Sequence, residues 1–127
     1  MKQAVCAVIT NELGEILTVS RKDNPSDKNL PGGKVDENET LEEALIREIK
    51  EETGLSIIPE SIKKVFTDLD GEFEVTTFMC QTFGEIKTSE TGIVEFINWD
   101  KLLTTTNSFY DYNLNLYRSL NWNFHLN

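Results

Sequence analysis

Residues 33–55 read GKVDENETLEEALIREIKEETGL, and this stretch decides how the rest of the chain is arranged. Its middle, residues 41–53 (LEEALIREIKEET), has the apolar spacing of an amphipathic helix. Thr40 stands where an N-cap is expected, and Glu43, three residues on, completes a capping box. Gly54 suits the left-handed position that closes a helix, and Leu55 can fold back on the last turn. Projected at about 100° per residue, Leu41, Ala44, Leu45, Glu48, Glu51 and Glu52 fall within about a third of the circumference. One face therefore begins apolar and ends acidic. Anchoring its first half on a sheet turns the three carboxylates inward as well, and carboxylates taken out of water need a cation or a metal ion. The plain alternative is a solvated acidic helix, helped by a Glu43–Arg47 pair at i, i+4.

Upstream, residues 2–10 (KQAVCAVIT) and 15–21 (EILTVSR) are rich in β-branched residues and read as an antiparallel hairpin with Gly14 in its turn. Residues 22–40 hold Pro25, Asn29, Pro31, Gly32, Gly33 and Asn38, a density of breakers that predicts a long, functional loop. Downstream, residues 62–69 and 73–83 read as two strands around Asp70-Gly71, and residues 93–99 (IVEFINW) as a third. Phe109, Tyr112, Leu116 and Leu120 recur at helical spacing, which predicts a second helix packed on the sheet. The expectation is a single domain over residues 1–127, of class α/β (α+β), with a mixed sheet and helices in two or three layers.

A chain of 127 residues with 39% hydrophobic residues can bury a core of its own. Its formal charge of −10 argues against tracking a nucleic-acid duplex and against docking on anionic membranes. A phosphorylated substrate remains open, because a bound cation can dominate the field of its site. The N-terminus shows neither a signal peptide nor a membrane span. Cys6 and Cys80 lack a neighbouring partner and are expected as buried thiols, which points to a reduced, cytoplasmic compartment. The only histidine, His125, lies at the tail, so a His-based zinc site or a Ser-His triad cannot be assembled. Whether the chain is a monomer or a homodimer is not encoded legibly.

From Gly33 the chain presents Gly33, five residues, Glu39, seven residues, Arg47-Glu48-Ile49, Lys50, Glu51-Glu52, Thr53 and Gly54-Leu55. This resembles the Nudix box, G-x5-E-x7-R-E-U-x-E-E-x-G-U with U a bulky aliphatic residue, at every defined position. Seven fixed residue types arise by chance on the order of 10⁻⁸ per start point. The resemblance implies a sandwich of mixed sheet between helices and metal-dependent hydrolysis of a diphosphate bond in a nucleotide. It implies Glu48, Glu51 and Glu52 as ligands of Mg²⁺ (or Mn²⁺), with a backbone carbonyl near Gly32 or Gly33. Such all-oxygen ligands suit a hard cation. Arg47 resembles the residue that orients a ligand carboxylate, and Glu39 the one that supports the metal shell or positions the attacking water.

A further carboxylate is often supplied after the box in this family, and Glu90 and Glu95 are the two candidates. The proline that ADP-ribose-cleaving members tend to carry downstream has Gly71 in its place, and the aromatic-proline motif of NADH-cleaving members is missing. The short chain looks most like the MutT-type enzymes, which convert a (d)NTP or oxidised (d)NTP to NMP and pyrophosphate. Arg21 before the loop could meet phosphate or base, and Asn113 sits at an offset similar to that of a base-reading asparagine of that type. Phe78, Trp99 and Tyr110 could stack on a base or simply fill the core. Sugar nucleotides, ADP-ribose, dinucleoside polyphosphates and RNA 5′ ends remain alternative substrates. A non-catalytic nucleotide sensor is the alternative from another class, although such modules typically lose box carboxylates.

Overall fold

The computed structural model describes residues 1–87, 92–104 and 106–125, with side chains described up to Asn121. Strand β1 (Lys2–Val8) is apolar on both faces for a reason: it lies inside a four-stranded mixed sheet of order β4-β1-β7-β6. There it runs parallel to β7 (Phe73–Met79) and antiparallel to β4 (Gly32–Lys34), while β6 (Lys63–Asp70) closes one edge. A second sheet has order β3-β2-β9, formed by Asn24–Asn29, Ile16–Arg21 and Gly92–Ile97. A small pair joins β5 (Ser56–Ile57) to β8 (Thr82–Phe83). The class is mixed α+β, as expected.

The helices take opposite sides. Ala44, Leu45 and Ile49 of α1 (Leu41–Thr53) pack with Val5, Ala7, Leu17 and Phe78, whereas Tyr112, Leu116 and Leu120 of α3 (Tyr110–His125) pack with Val8, Ile16 and Ile97. Alternate residues of β1 thus feed two cores, as strand geometry requires. Between β9 and α3 lies the short helix α2 (Trp99–Leu102). No described helix is long and apolar enough to cross a membrane.

Four sequence expectations change. The turn at Asn11–Gly14 forms as expected, with Gly14 at φ +76° and the Asn11 carboxamide accepting from Leu13 N and Glu15 N at 3.0 Å each. Its strands then diverge, because β1 takes β4 and β7 as partners and β2 takes β3 and β9. What remains of the hairpin is the bridge Thr10–Ile16 and the bond from Leu17 N to Ile9 O at 2.8 Å. The long loop also contains β3 and β4. Both are edge strands, where polar residues and Pro25 are tolerated because one backbone side faces outward. Finally, the strand expected over 73–83 breaks after Met79, and Trp99 opens a helix instead of ending a strand.

Helix α1 matches its reading closely. Thr40 Oγ1 accepts from Glu43 N at 3.1 Å, Glu43 Oε1 accepts from Thr40 N at 2.9 Å, and Gly54 adopts φ +82°. The Asp70-Gly71 turn joins β6 to β7 with Gly71 at φ +59°.

Close backbone approach, not turn geometry, explains Gly32. A Cβ there would stand 2.0 Å from Val5 O and 2.6 Å from Cys6 Cα, inside the β1–β4 ladder. Gly32→Ala is expected to destabilise the fold by roughly 3 kcal/mol or more. Equilibrium urea unfolding checks this, and a variant within about 0.5 kcal/mol of wild type would contradict the packing described.

Candidate functional site

The buried stripe of α1 runs through Ala44, Leu45, Ile49 and Thr53. It is rotated away from the face projected from sequence, so Glu48 and Glu52 lie on its margin and Glu51 lies outside it, with 59% of its side chain exposed. The three carboxylates are therefore at the rim of the core and not within it. Glu51 and Glu52 line a cleft of about 590 Å³ between the end of α1 and the β2–β9 edge, within the usual size for a small-molecule site.

Arg47 organises the approach to this rim. Its Nε and Nη2 donate to both oxygens of Glu39, at 2.7 and 2.9 Å, in a bidentate fork. Its Nη1 donates to Glu48 Oε1 at 2.8 Å and to Glu51 Oε2 at 3.4 Å, and Nη2 also reaches Lys34 O at 3.1 Å. The hydrogen bonds from Arg47, and one from Asp36 N, hold the Glu39 carboxyl down at about 2. Its bonds to Glu39 and then to Glu48 raise the Arg47 pKa, so its charge is permanent. Glu39 is thus committed to Arg47 and does not line the cleft.

Glu52 is partly buried. Its Oε1 accepts from Gly32 N at 2.7 Å. Burial, aided by the charges of Glu48 and Glu51, nevertheless pushes its carboxyl up to about 7, against the lowering effect of that amide. Gly33 stands directly against Glu48: a Cβ would be 2.5 Å from its carboxyl carbon. Among the described residues no three His, Cys, Asp or Glu side chains already converge as a metal cage. Glu48 is drawn to Arg47 and Glu52 to the Gly32 amide. The donor set still fits a hard divalent cation, since crowded carboxylate oxygens beside a backbone without Cβ offer charge, ligand type and room.

The remaining expectations divide. Arg21 lines the cleft, with its guanidinium held by Asp23 at 3.0 and 2.6 Å. Asn113 is 3% exposed and lines a second cavity of about 140 Å³ on the α3 side, its Nδ2 donating to Asn107 Oδ1 at 3.3 Å. Phe78 does not reach either cavity; it is 2% exposed in the core under α1, because alternation on β7 turns it that way. Glu95 is not brought to the box carboxylates. It stands opposite Thr18 on β9 and pairs with Lys28, while its neighbours Val94 and Phe96 take the face toward α1. Glu90 lies outside the described residues. Trp99 packs against Tyr117 at 5.3 Å between centroids and lines neither cavity, nor does Tyr110.

Two features went unread in the sequence. Phe109 is 41% exposed and lines both cavities, although its spacing had assigned it to the packing stripe of α3. Lys50 and Lys87 join Arg21 as cations of the cleft wall, unrecognised because surface lysines carry no spacing signal.

The NUDIX domain model matches residues 1–115. The chain is 34% identical over 84 residues to an 8-oxo-dGTP diphosphatase from Haemophilus influenzae, covering 64% of this chain and 58% of that protein. It is 45% identical over 69 residues to an ADP-ribose pyrophosphatase from Methanocaldococcus jannaschii, covering 53% of this chain and 40% of that protein. Across the other curated relatives the matched stretch spans between 16% and 65% of their own length. The crystal structure of the MutT protein from Methanosarcina mazei Go1 superposes with a TM-score of 0.69 at 30% identity, covering 96% of this chain and 94% of that one.

The Glu39–Arg47 fork makes acid stability testable. A carboxyl whose folded pKa of about 2 lies below its ordinary value of 4.5 contributes stability that is present above pH 4.5 and lost as pH falls toward 2. Glu39→Gln is expected to flatten the fall in thermal midpoint between pH 5 and pH 2, measured by circular dichroism. An unchanged acid limb would remove the fork from the account of stability.

Proposed function

This chain belongs to the NUDIX family, and from that membership we propose that it hydrolyses the diphosphate linkage of a nucleoside triphosphate, releasing the nucleoside monophosphate and pyrophosphate. The observation that carries the reading is the carboxylate rim of α1 at a cleft that shares Leu30, Gly32 and Phe109 with a second cavity lined by Asn113. Phosphates belong at the first and a base at the second. Likeness to the MutT structure and to the 8-oxo-dGTP diphosphatase supports a triphosphate, oxidised or not. Likeness to the ADP-ribose pyrophosphatase keeps ADP-ribose as the second reading.

Hydrolases of this family use divalent metal ions, and Mg²⁺ (or Mn²⁺) is the ion proposed here, held by Glu48, Glu51 and Glu52. When bound, the cation supplies charge that screens the phosphate oxygens and the departing diphosphate. The protein's own groups do the rest. Arg47 holds Glu48 and Glu51 beside one another, and the Gly32 amide fixes one oxygen of Glu52. Arg21, Lys50 and Lys87 attract the polyphosphate into an otherwise acidic protein. Water attacks one phosphorus of the linkage and gives its proton to solvent, while the bond from that phosphorus to the bridging oxygen breaks and its electron pair departs with the other phosphate. Asn113 and Phe109 orient the base, the first by its carboxamide and the second by its exposed ring.

Replacing Glu52 by Gln keeps an oxygen for the Gly32 amide, so the variant is expected to fold normally yet lose at least about a hundredfold in kcat with Mg²⁺. Full turnover by Glu52→Gln would remove it from the ligand set. Assaying pyrophosphate against phosphate release over a nucleotide panel separates triphosphates from ADP-ribose and the other candidates. Asn113→Ala should raise KM for purine triphosphates more than for pyrimidines, and equal effects would cost Asn113 its role at the base.

A further inference from the structure

Of the three cations on the cleft wall, two are already engaged by the fold. The Arg21 guanidinium donates to both oxygens of Asp23. Lys50 Nζ donates to Gly54 O at 3.1 Å and to Ser56 Oγ at 3.3 Å, where α1 ends. Lys87 differs. Its backbone is fastened, because Lys87 N donates to Thr53 O at 2.9 Å. Its stem is held as well, so close to Gly54 that a Cβ there would stand 2.8 Å from Lys87 Cγ. Yet among the described residues the Lys87 side chain makes no hydrogen bond and no ion pair. The negative end of α1 does not explain it, since Lys50 already serves the Gly54 carbonyl. An ammonium seated by its stem and left unpaired, in the cleft of a protein of formal charge −10, offers a place to an anion.

Contacts along the rim give this anion its place in the substrate. Gly32 lines both cavities, and its amide donates to Glu52. Gly54 lies further along the chain, past the end of α1, and Lys87 packs on it. A nucleotide with its base beside Asn113 therefore runs from Gly32 over the carboxylate rim toward Lys87, with the end of its phosphate chain reaching the lysine. That end carries the extra ionisable oxygen, and so the largest charge of the chain. A compact ammonium suits it, because Lys binds phosphate as a point charge and does not require the planar match of a guanidinium.

Building on the nucleotide reading above, we propose that Lys87 receives the terminal phosphate of a nucleoside triphosphate and makes the enzyme select triphosphates over diphosphates. A diphosphate seated by the same base ends short of the lysine and gains nothing from it. The departing pyrophosphate keeps the contact until it leaves, so Lys87 also sets how tightly that product is held. Selection by chain length is thereby separate from selection by base, which belongs to the other cavity.

Steady-state kinetics on the whole chain with Mg²⁺ tests this, comparing a purine nucleoside triphosphate with the diphosphate of the same nucleoside, and using inorganic pyrophosphate as an inhibitor. The wild type should favour the triphosphate in kcat/KM by at least about tenfold. Lys87→Gln keeps the stem against Gly54 and removes only the charge, so its thermal midpoint should match the wild type's. Its preference should fall at least about fivefold, and its inhibition constant for pyrophosphate should rise by a similar factor. Lys87→Arg should restore most of both. Lys63→Ala removes an equal charge from an exposed position on β6 that lines neither cavity, and it should keep the preference. A wild type without preference, an unchanged preference or inhibition constant in Lys87→Gln, or an equal loss in Lys63→Ala would each overturn the role of Lys87. A wild type that turns over neither nucleotide would sink the reading of the function itself, an outcome plainly different from turning over both alike.

Discussion

Mutual repulsion among Glu48, Glu51 and Glu52 is the constraint around which the site is built. Three carboxylates in the last turns of α1 stand near the negative end of the helix dipole, where anions are unfavourable. The fold answers with one guanidinium and one amide. Arg47 bonds to Glu48 and Glu51, the Gly32 amide donates to Glu52, and Glu52 still ends with its carboxyl raised to about 7. Carboxylates crowded in this way cost stability, as groups kept for chemistry at one helix end commonly do.

The scaffold tolerates that tension because the rest of α1 is tightly specified. The capping box at Thr40 and Glu43 sets where the helix begins, and Gly54 sets where it ends. Ala44, Leu45 and Ile49 bury completely against the sheets, which orients the helix so that Glu51 and Glu52 meet the cleft. Gly32 and Gly33 then bring the backbone up to this rim, one against β1 and the other against Glu48. Rotation of α1 by a fraction of a turn would send the acidic residues into bulk water.

Division of the strands between two sheets creates the second half of the site. Because β1 and β2 separate after their shared turn, β3 and β4 belong to different sheets, and Asn29, Leu30 and Gly32 at the gap between these two sheets line both cavities. Asn107 donates to the Lys28 carbonyl, and Asp27 accepts from Ser108 N at 2.9 Å, so the approach to α3 is fastened to β3 beside that gap. The same fastening leaves Phe109 partly exposed at the junction and Asn113 facing the smaller cavity.

Local chemistry made helix α1, its two caps, the Asp70-Gly71 turn, the α3 stripe and the acidic box legible in one dimension. Each is written in residues within a few positions of one another, and short-range geometry suffices to read them. Only tertiary structure decided which strands pair, because β1 and β2 carry similar apolar runs and nothing local says that one prefers β7 and the other β9. It also decided that Phe78 belongs to the core and Phe109 to the cleft, and that Glu95 belongs to Lys28. Those outcomes depend on which face of a strand is covered by a helix distant in sequence, and spacing along the chain holds no record of that covering.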